Sequence, residues 1–412
     1  MLAPDDGTVP ILKPGLRISP FTEAGSTKPR HLVEIEHQFY VVDERAYQIL
    51  CALGERPATF EAFQANVEGR LGASVARGAL REVLTRRLPA ELFEGAASRH
   101  PLSPFTFKVP LLPEPLAAGV SSRLTWLFAK PIVVPMMIAF AVVVALLGPR
   151  AFVLPLADTT PWQLLAAGYA AALAGTFFHE FGHAAACRRY HCPHGEIGFA
   201  LYLLYPAFYT DVSRAWRLAP SARAVVDAGG IYFQAILVTL VGSMALWTGN
   251  RAFDGFIVVM LFSILYTLNP AFKMDGYWLL TDLSGLTNLH KQMGDMVVHV
   301  VRRTLRRPST LQTTRLQYGI LAAYTLLAGS YVGLIAFYVL WFAAASLADL
   351  PHRFSAALAA THAASAAGVW PELRSLWDLV LIVGAPLVVG VLLGFVLVRF
   401  ARAVRPFARR VG

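Results

Sequence analysis

The residues best suited to chemistry in this sequence form the pentapeptide HEFGH, at positions 179–183. Residues four apart lie on the same face of an α-helix, so the imidazoles of His179 and His183 can both reach one Zn²⁺ ion. Glu180 lies about 100° round the helix from His179, where its carboxylate can act on water held by the metal. The pattern H-E-x-x-H therefore predicts a metal-dependent hydrolytic site.

The sequence around this site is apolar, and ionisable residues in such surroundings are costly and by default functional. A catalytic zinc needs a third protein ligand, and the stretch NPAFKMDG, at 269–276, offers one. Asp275 is the only acid between Asp254 and Asp282, and Pro270 interrupts the helix before it. Irregular backbone at membrane depth is tolerated only where it is buried or lines a water-filled cavity. Asp275 is therefore the candidate for the third ligand.

Composition and hydropathy predict that long apolar helices carry these residues. Of the 412 residues, 56% are hydrophobic and 15% are charged, whereas about 25% are charged in soluble proteins. The predicted fold class is mainly α, a polytopic helical membrane protein with about six transmembrane helices and a small N-terminal α+β domain. The six predicted spans are 126–148, 162–186, 224–247, 254–272, 317–345 and 376–398.

The net charge of +10 is attributed to membrane topology, and no nucleic-acid partner is predicted. With six spans and a cytoplasmic N-terminus, the cytoplasmic segments after the first span hold 17 Lys and Arg, against four in the outer loops. Positive side chains are enriched in cytoplasmic loops, so both termini are predicted to be cytoplasmic. In this topology the second and fourth spans run in the same direction, which brings HEFGH and NPAFKMDG to the same level of the bilayer.

The sequence divides into a soluble front end and a membrane part. Residues 1–29 are predicted to be an N-terminal tail, and residues 30–95 a small winged-helix-like domain on the cytoplasmic side. Residues 96–122, rich in proline and alanine, are predicted to be a linker. The membrane domain then occupies 123–400, and a basic cytoplasmic tail follows at 401–412.

The front-end domain is predicted from a strand pattern and three helices. The run HLVEIEHQFYVVD alternates as two short strands around His37–Gln38 would. Asp43 is the predicted N-cap of a first helix, Thr59 precedes a second that ends at Gly72, and a third covers about 75–88. The first helix has an apolar face made of Ala46, Ile49, Leu50 and Leu53.

H-E-x-x-H in one span, with N-P-x-x-x-x-D-G in a later one, resembles the site-2 protease family of intramembrane zinc metalloproteases. The resemblance covers residues 162–285. It implies that His179, His183 and Asp275 bind one catalytic Zn²⁺ ion per chain. It also implies that Glu180 is the catalytic base, which takes a proton from water and returns it to the leaving amine.

The stretches NPAFKMDGYW (269–278) and YPAFYTDVSRAWRL (205–218) look most like a bacterial branch of peptide zinc metalloproteases. That branch often accompanies peptide-modification genes. The resemblance implies a multi-pass protein of the bacterial cytoplasmic (inner) membrane that cleaves a membrane-associated peptide. Its partners would be the lipid bilayer, the peptide substrate, and peptide-modifying enzymes or an exporter.

The run FYVVDERAYQILCALGERPATFEAF, at 39–63, is similar to PqqD-like domains, which bind the leader peptides of ribosomally made, modified peptides. The resemblance implies that a peptide adds as a strand to an exposed sheet edge, which we place at about 32–38. A cytoplasmic cap without a binding role is the simpler alternative for residues 30–95. The leading hypothesis is therefore cleavage of a precursor's leader.

Two alternatives to that function stay open. In the first, the protein is still a protease, but its substrate is a membrane signalling protein, such as an anti-sigma factor, cleaved by regulated site-2-type proteolysis. The other is a non-catalytic membrane scaffold or immunity component of a peptide-maturation complex. The intact H-E-x-x-H motif and Asp275 argue against this last reading, because a scaffold would be free to lose Glu180.

Four further residues are candidates for substrate or transition-state contacts. The amide of Asn269 can bind the substrate or cap the helix break at Pro270, since both uses need the same group. Lys273 can stabilise negative charge or extend to the membrane surface. Gly230 lets a helix or a substrate approach closely. Gln234 stands where members of the family often carry asparagine.

Three segments outside the motifs carry weaker signals. The stretch CRRYHCPHGE (187–196) lacks the paired short repeats of a structural zinc site, so a surface loop is favoured over a second metal site. Residues 197–209 are too short to cross a bilayer and are predicted to be a strand or a re-entrant segment. Residues 286–307 have the pattern of an amphipathic interfacial helix.

Overall fold

Most of the chain is helical, and two three-stranded antiparallel sheets accompany the helices. The structure is a computed structural model. The chain divides into two compact units, residues 1–287 and residues 288–412. The predicted mainly α character is confirmed. The described residues are 9–23, 29–36, 38–95, 105–151, 161–202, 205–309, 311, 313–365, 376–377, 380, 382 and 384.

The first sheet consists of β1 (Arg17–Phe21), β2 (Arg30–Ile35) and β3 (Gln38–Asp43), with β2 in the centre. Glu34 of β2 pairs with β1 on one side and with β3 on the other. The antiparallel pair β2–β3 confirms the two short strands predicted around 37–38.

Two predictions about this sheet are wrong. The predicted tail at 1–29 contains β1, which lacks apolar alternation; its Pro20 is tolerated because β1 is an edge strand. The predicted peptide-binding edge at 32–38 falls mainly on β2, and both sides of β2 are already paired. Within this sheet, the strands paired on one side only are β1 and β3.

The three helices that follow the first sheet begin and end close to the predicted residues. The Asp43 side chain accepts a hydrogen bond from the Ala46 N–H at 2.8 Å, and Thr59 accepts one from Ala62 at 3.2 Å. The second helix ends at Gly72, which has a φ of +63°, so both N-caps and the glycine stop are confirmed. The three helices are α1 (Glu44–Gly54), α2 (Phe60–Leu71) and α3 (Arg77–Glu82), the last continuing as a π-helical turn over Val83–Arg87.

The predicted linker at 96–122 is wrong for the part that the structure describes. It contains a strand, β4 (Phe105–Leu112), and most of a helix, α4 (Glu114–Leu124). β4 pairs with β5 (Ile197–Tyr202), which pairs in turn with β6 (Tyr205–Thr210). The described residues of the segment 197–209 therefore lie in strands, which is the first of the two predicted alternatives. The pairing partner of β4 is far along the chain, so local composition could not reveal it.

Long apolar helices make up the membrane part. Four segments of the described residues are long and apolar enough to cross a bilayer, which indicates a membrane protein: 130–149, 220–248, 251–268 and 315–341. The count of six stays a prediction. The predicted second span at 162–186 is not among these four segments, and most of the predicted span at 376–398 lies outside the described residues. The long helices are α5 (Lys130–Ala151), α6 (Pro161–Arg189), α7 (Pro220–Thr248), α8 (Asp254–Leu268) and α11 (Arg315–Ser365).

In the second unit, α10 (Leu289–Thr304) precedes α11. The helix predicted at 286–307 is therefore present. It is amphipathic, because Leu289 and Met296 are buried while the charged Lys291 and Arg303 are exposed. α11 continues to residue 365, well beyond the predicted end of the fifth span at 345. The predicted tail at 401–412 lies outside the described residues.

Candidate metal centre

The side chains of His179, His183 and Asp275 meet at one point. Nε2 of His179 lies 2.9 Å from Oδ2 of Asp275, and Nε2 of His183 lies 3.2 Å from the same oxygen. The two Nε2 atoms are 3.0 Å apart. Both histidines are buried and Asp275 is partly buried. Within the described residues, this is the one cluster of three such ligands whose donor atoms all lie within 4.8 Å of one another.

Two separate segments deliver these side chains. α6 carries both histidines one turn apart, as the H-E-x-x-H spacing predicts. α8 ends at Leu268, and α9 (Asp275–Ser284) begins on the carboxylate itself, so the predicted helix break at Asn269-Pro270 is confirmed. The turn between them is tight, because a Cβ on Gly276 would fall within 3.0 Å of the Leu268 backbone.

Glycines hold α6 and α7 in direct contact beside the cluster. A Cβ on Gly182 would fall within 3.0 Å of the Gly229 carbonyl, and a Cβ on Gly229 would lie 2.6 Å from the Gly182 carbonyl oxygen. A Cβ on Gly230 would overlap the imidazole of His179. The close helix approach predicted for Gly230 is therefore present, and this glycine also leaves room for one of the clustered side chains.

Hydrogen bonding fixes the orientation of His183. Its Nδ1 lies 2.7 Å from the backbone oxygen of Val226, so Nδ1 carries the hydrogen and donates it. Nε2 then presents a lone pair to the carboxylate of Asp275. Oδ2 of Asp275 and Nδ1 of His179 have no hydrogen-bond partner among the described residues. The Nε2 lone pair of His183 and Oδ2 of Asp275 are both acceptors, so they repel each other. A positive charge between them, either a proton or a metal ion, removes this repulsion.

The donor set fits a zinc ion. Tetrahedral ligands lie roughly 3.3 Å apart when the Zn–N and Zn–O bonds are about 2.0–2.1 Å long, and the three separations here are 2.9, 3.0 and 3.2 Å. Two imidazoles and one carboxylate are also the protein ligands found at one kind of catalytic zinc site. The residues present are therefore compatible with Zn²⁺.

Glu180 lies beside the cluster and is buried, with 8% of its surface exposed. The hydroxyl of Thr210, the last residue of β6, donates to the backbone oxygen of Glu180 at 3.0 Å. This bond fastens β6 to α6 next to the histidines. A carboxylate so placed can exchange protons with a water or substrate held at the cluster.

The other predicted contact residues have mainly structural partners. Oδ1 of Asn269 accepts the Ala271 N–H at 3.0 Å, which is the capping role considered for it. Gln234 is fully buried and donates to the Ser263 hydroxyl at 2.9 Å, which links α7 to α8. Lys273 is exposed.

The segment at 187–196 forms no second metal cluster within the described residues. His194 is buried and engaged at both nitrogens: Nδ1 donates to the Gly195 carbonyl at 2.7 Å, so Nε2 accepts from the Ser121 hydroxyl at 2.8 Å. Cys187 and Cys192 are buried in one apolar cluster. Sequence reasoning missed Ser121, because it placed that residue in a linker.

Sequence reasoning also missed a buried ion pair. Arg223, at the start of α7, is bound to Asp282 of α9 at 2.7–3.0 Å. The only signal for this pair in the sequence is weak, an arginine close to the start of an apolar helix. Comparison of the chain with protein-family models, curated proteins and solved structures found no match.

Proposed function

We propose that the protein is an intramembrane zinc metalloendopeptidase that cleaves a membrane-associated peptide. The observation that supports it is the meeting of His179, His183 and Asp275, from two segments about a hundred residues apart, with Glu180 adjacent. Zn²⁺ bound there would act as a Lewis acid on water and on a peptide carbonyl.

The chain's own groups have distinct tasks in this proposal. The Val226 carbonyl keeps the Nε2 lone pair of His183 directed inward. Gly230 leaves the space that the His179 ring needs to direct its own Nε2 atom inward. Glu180 accepts a proton from water and passes it to the leaving amine as the peptide bond breaks. α6, α7 and α9 keep these groups in a mostly water-excluded place.

Burial of Glu180 favours an enzyme over a scaffold. Glu180 is only 8% exposed, and burying a carboxylate costs free energy unless the charge is paired. An enzyme that needs a general base at this position gains activity in return for that cost. A scaffold that only binds a peptide gains nothing from it.

The substrate we propose is the precursor of a ribosomally made, modified peptide, presented by the N-terminal domain in a bacterial inner membrane. Support comes from the resemblance of residues 39–63 to peptide-binding domains. It also comes from contacts between that domain and the segment before α7, where Arg217 forms an ion pair with Glu34 and lies over the ring of Phe39. A peptide would add to β1 or β3, because β2 is paired on both sides.

The test is metal content and cleavage measured on the same preparations. Purified protein in detergent should contain about one zinc per chain and cleave a candidate precursor peptide that carries a leader. Glu180→Gln should keep the zinc and abolish cleavage. Glu61→Gln, at an exposed position on α2, is the matched control and should change neither. Undiminished cleavage by Glu180→Gln would refute the mechanism.

A further inference from the structure

Arg223 is a buried arginine whose guanidinium is fully engaged. Its side chain is 7% exposed. Nε lies 2.9 and 3.0 Å from the two carboxylate oxygens of Asp282, Nη2 lies 2.7 Å from one of them, and Nη1 donates to the Leu218 carbonyl at 3.0 Å. Removing one partner of a buried pair leaves an uncompensated charge, so the position of Arg223 and that of Asp282 depend on each other.

The carboxylate of Asp282 lies on the helix that begins with Asp275. The two acids are about two turns apart, so they lie near the same face of α9. A helix this short moves as a rigid body. The ion pair between Asp282 and Arg223 therefore fixes the orientation of α9, and with it the direction in which the Asp275 side chain points. The helix that supplies Arg223 also supplies the Val226 carbonyl that holds His183. The ion pair thus joins α9, which carries Asp275, to α7, whose Val226 carbonyl orients His183.

The other side of the guanidinium faces the N-terminal domain. The Cζ atom of Arg223 lies 4.8 Å from the ring centroid of Phe21, the last residue of β1, and 5.7 Å from that of Trp216. The rings of Phe21 and Trp216 are 6.0 Å apart, and Trp216 contacts Trp278 of α9 at 5.8 Å. Phe21 is 7% exposed. β1 is therefore packed against the residues that hold α9.

We propose that Arg223 is a positioning residue that couples docking of the N-terminal domain to the carboxylate of the metal centre. The inference rests on the proposed zinc site and adds a means of regulating it. A strand that pairs with the first sheet and shifts β1 would move Phe21, loosen Arg223, and change the direction of Asp275 through Asp282. Occupancy of the front-end domain would in this way alter how tightly the metal is held.

The test is zinc affinity, measured by competition with a chromophoric chelator on the full-length protein in detergent. Arg223→Gln and Asp282→Asn should weaken zinc binding by about 10- to 100-fold, the usual effect of removing a supporting partner. Arg223→Lys should fall in between, because it keeps the charge and loses the two-pronged geometry. Arg214→Gln, at a partly exposed arginine paired with Glu114, is the control and should leave the affinity unchanged.

Phe21 separates coupling from simple packing. Phe21→Leu keeps apolar volume but loses the ring face, and should weaken zinc binding by about two- to fivefold, whereas Phe21→Tyr should retain the affinity. In the Arg223→Gln background, Phe21→Leu should have no further effect. These Phe21 variants retain both charged side chains, Arg223 and Asp282, so they decide the question if Arg223→Gln fails to fold.

The outcomes separate the two proposals. Wild-type protein that takes up no zinc would overturn both the metal site and the coupling. Wild-type protein that binds zinc, together with Phe21 and Arg223 variants whose affinities match it within twofold, would overturn the coupling alone.

Discussion

Gly230 and His179 are in such close contact that the glycine has no room for even one more carbon atom. Each lies on a different helix, Gly230 on α7 and His179 on α6. The close approach of the two helices therefore also determines where the His179 imidazole lies in the candidate metal centre. A methyl group added at position 230 should therefore disturb the imidazole of His179.

Gly230→Ala should displace the His179 ring and lower zinc affinity by about tenfold or more. Gly255→Ala is the matched control, because a Cβ on Gly255 of α8 meets nothing within 4 Å. That control should keep the affinity and, as a helical glycine replaced by alanine, stabilise the protein by up to about 1 kcal/mol. Chelator competition and thermal unfolding measure the two effects. Equal zinc affinity for Gly230→Ala and wild type would contradict the geometry.

Asp275→Asn keeps the size of the side chain and removes its charge. We expect the variant to lose stoichiometric zinc, because two imidazoles then lack the carboxylate that completes the set. Asp349→Asn changes an exposed acid paired with Arg353 and should retain about one zinc per chain. Metal content of the purified proteins, measured by atomic emission, decides between them. Full zinc in Asp275→Asn would remove this residue from the ligand set.

A charge reversal tests whether the contact between the first sheet and the segment before α7 assists the proposed cleavage. Glu34→Arg and Arg217→Glu each place like charges opposite one another, and each should reduce precursor cleavage by a few-fold, since exposed ion pairs are worth about 1 kcal/mol or less. The double variant restores an opposite pair and should recover the rate. Cleavage is followed by mass spectrometry of the products. If the double variant is no better than the singles, the ion pair does not orient the domain.

His194 predicts a dependence of stability on pH. Burial lowers the pKa of His194, and its bond from Ser121 requires the neutral ring. As the pH falls through the pKa of an unfolded histidine, about 6.5, the unfolded chain takes up a proton that the folded chain resists. The stability that depends on neutral His194 is thus present above that pH and lost below it.

Thermal unfolding in detergent between pH 8 and pH 5 measures this effect. His194→Gln should show a smaller loss of melting temperature on acidification than wild type. His352→Gln, at an exposed position on α11, should behave as wild type does. A wild-type profile as flat as that of His194→Gln would show that this histidine does not link pH to stability.

Local periodicity accounts for the parts of the molecule that the sequence could predict. The spacing of His179 and His183 is a property of one helix turn, and the proline break before Asp275 is a property of the backbone. The caps at Asp43 and Thr59 are equally local, because each side chain bonds to an N–H a few residues ahead.

Distant pairings account for what the sequence could not predict. Arg223 and Asp282 are 59 residues apart, and Ser121 and His194 are 73 apart. Neither pair leaves a periodic trace, because each partner alone reads as an ordinary polar residue. The edge strand β1 is a similar case, since only its pairing with β2 gives RISPF the conformation of a strand.

The pairing of β4 with β5 constrains the order in which the protein can assemble. β4 is made before α5 and α6, yet its partner β5 is made after them. During synthesis β4 is thus an unpaired strand, which is prone to wrong associations, until α5, α6 and β5 have been synthesised. Closing so long a loop is slow relative to local folding. The sheet beside Glu180 is therefore among the last parts of this unit to form, and the hydrolytic activity that we propose would arise only after α5 and α6 are in place.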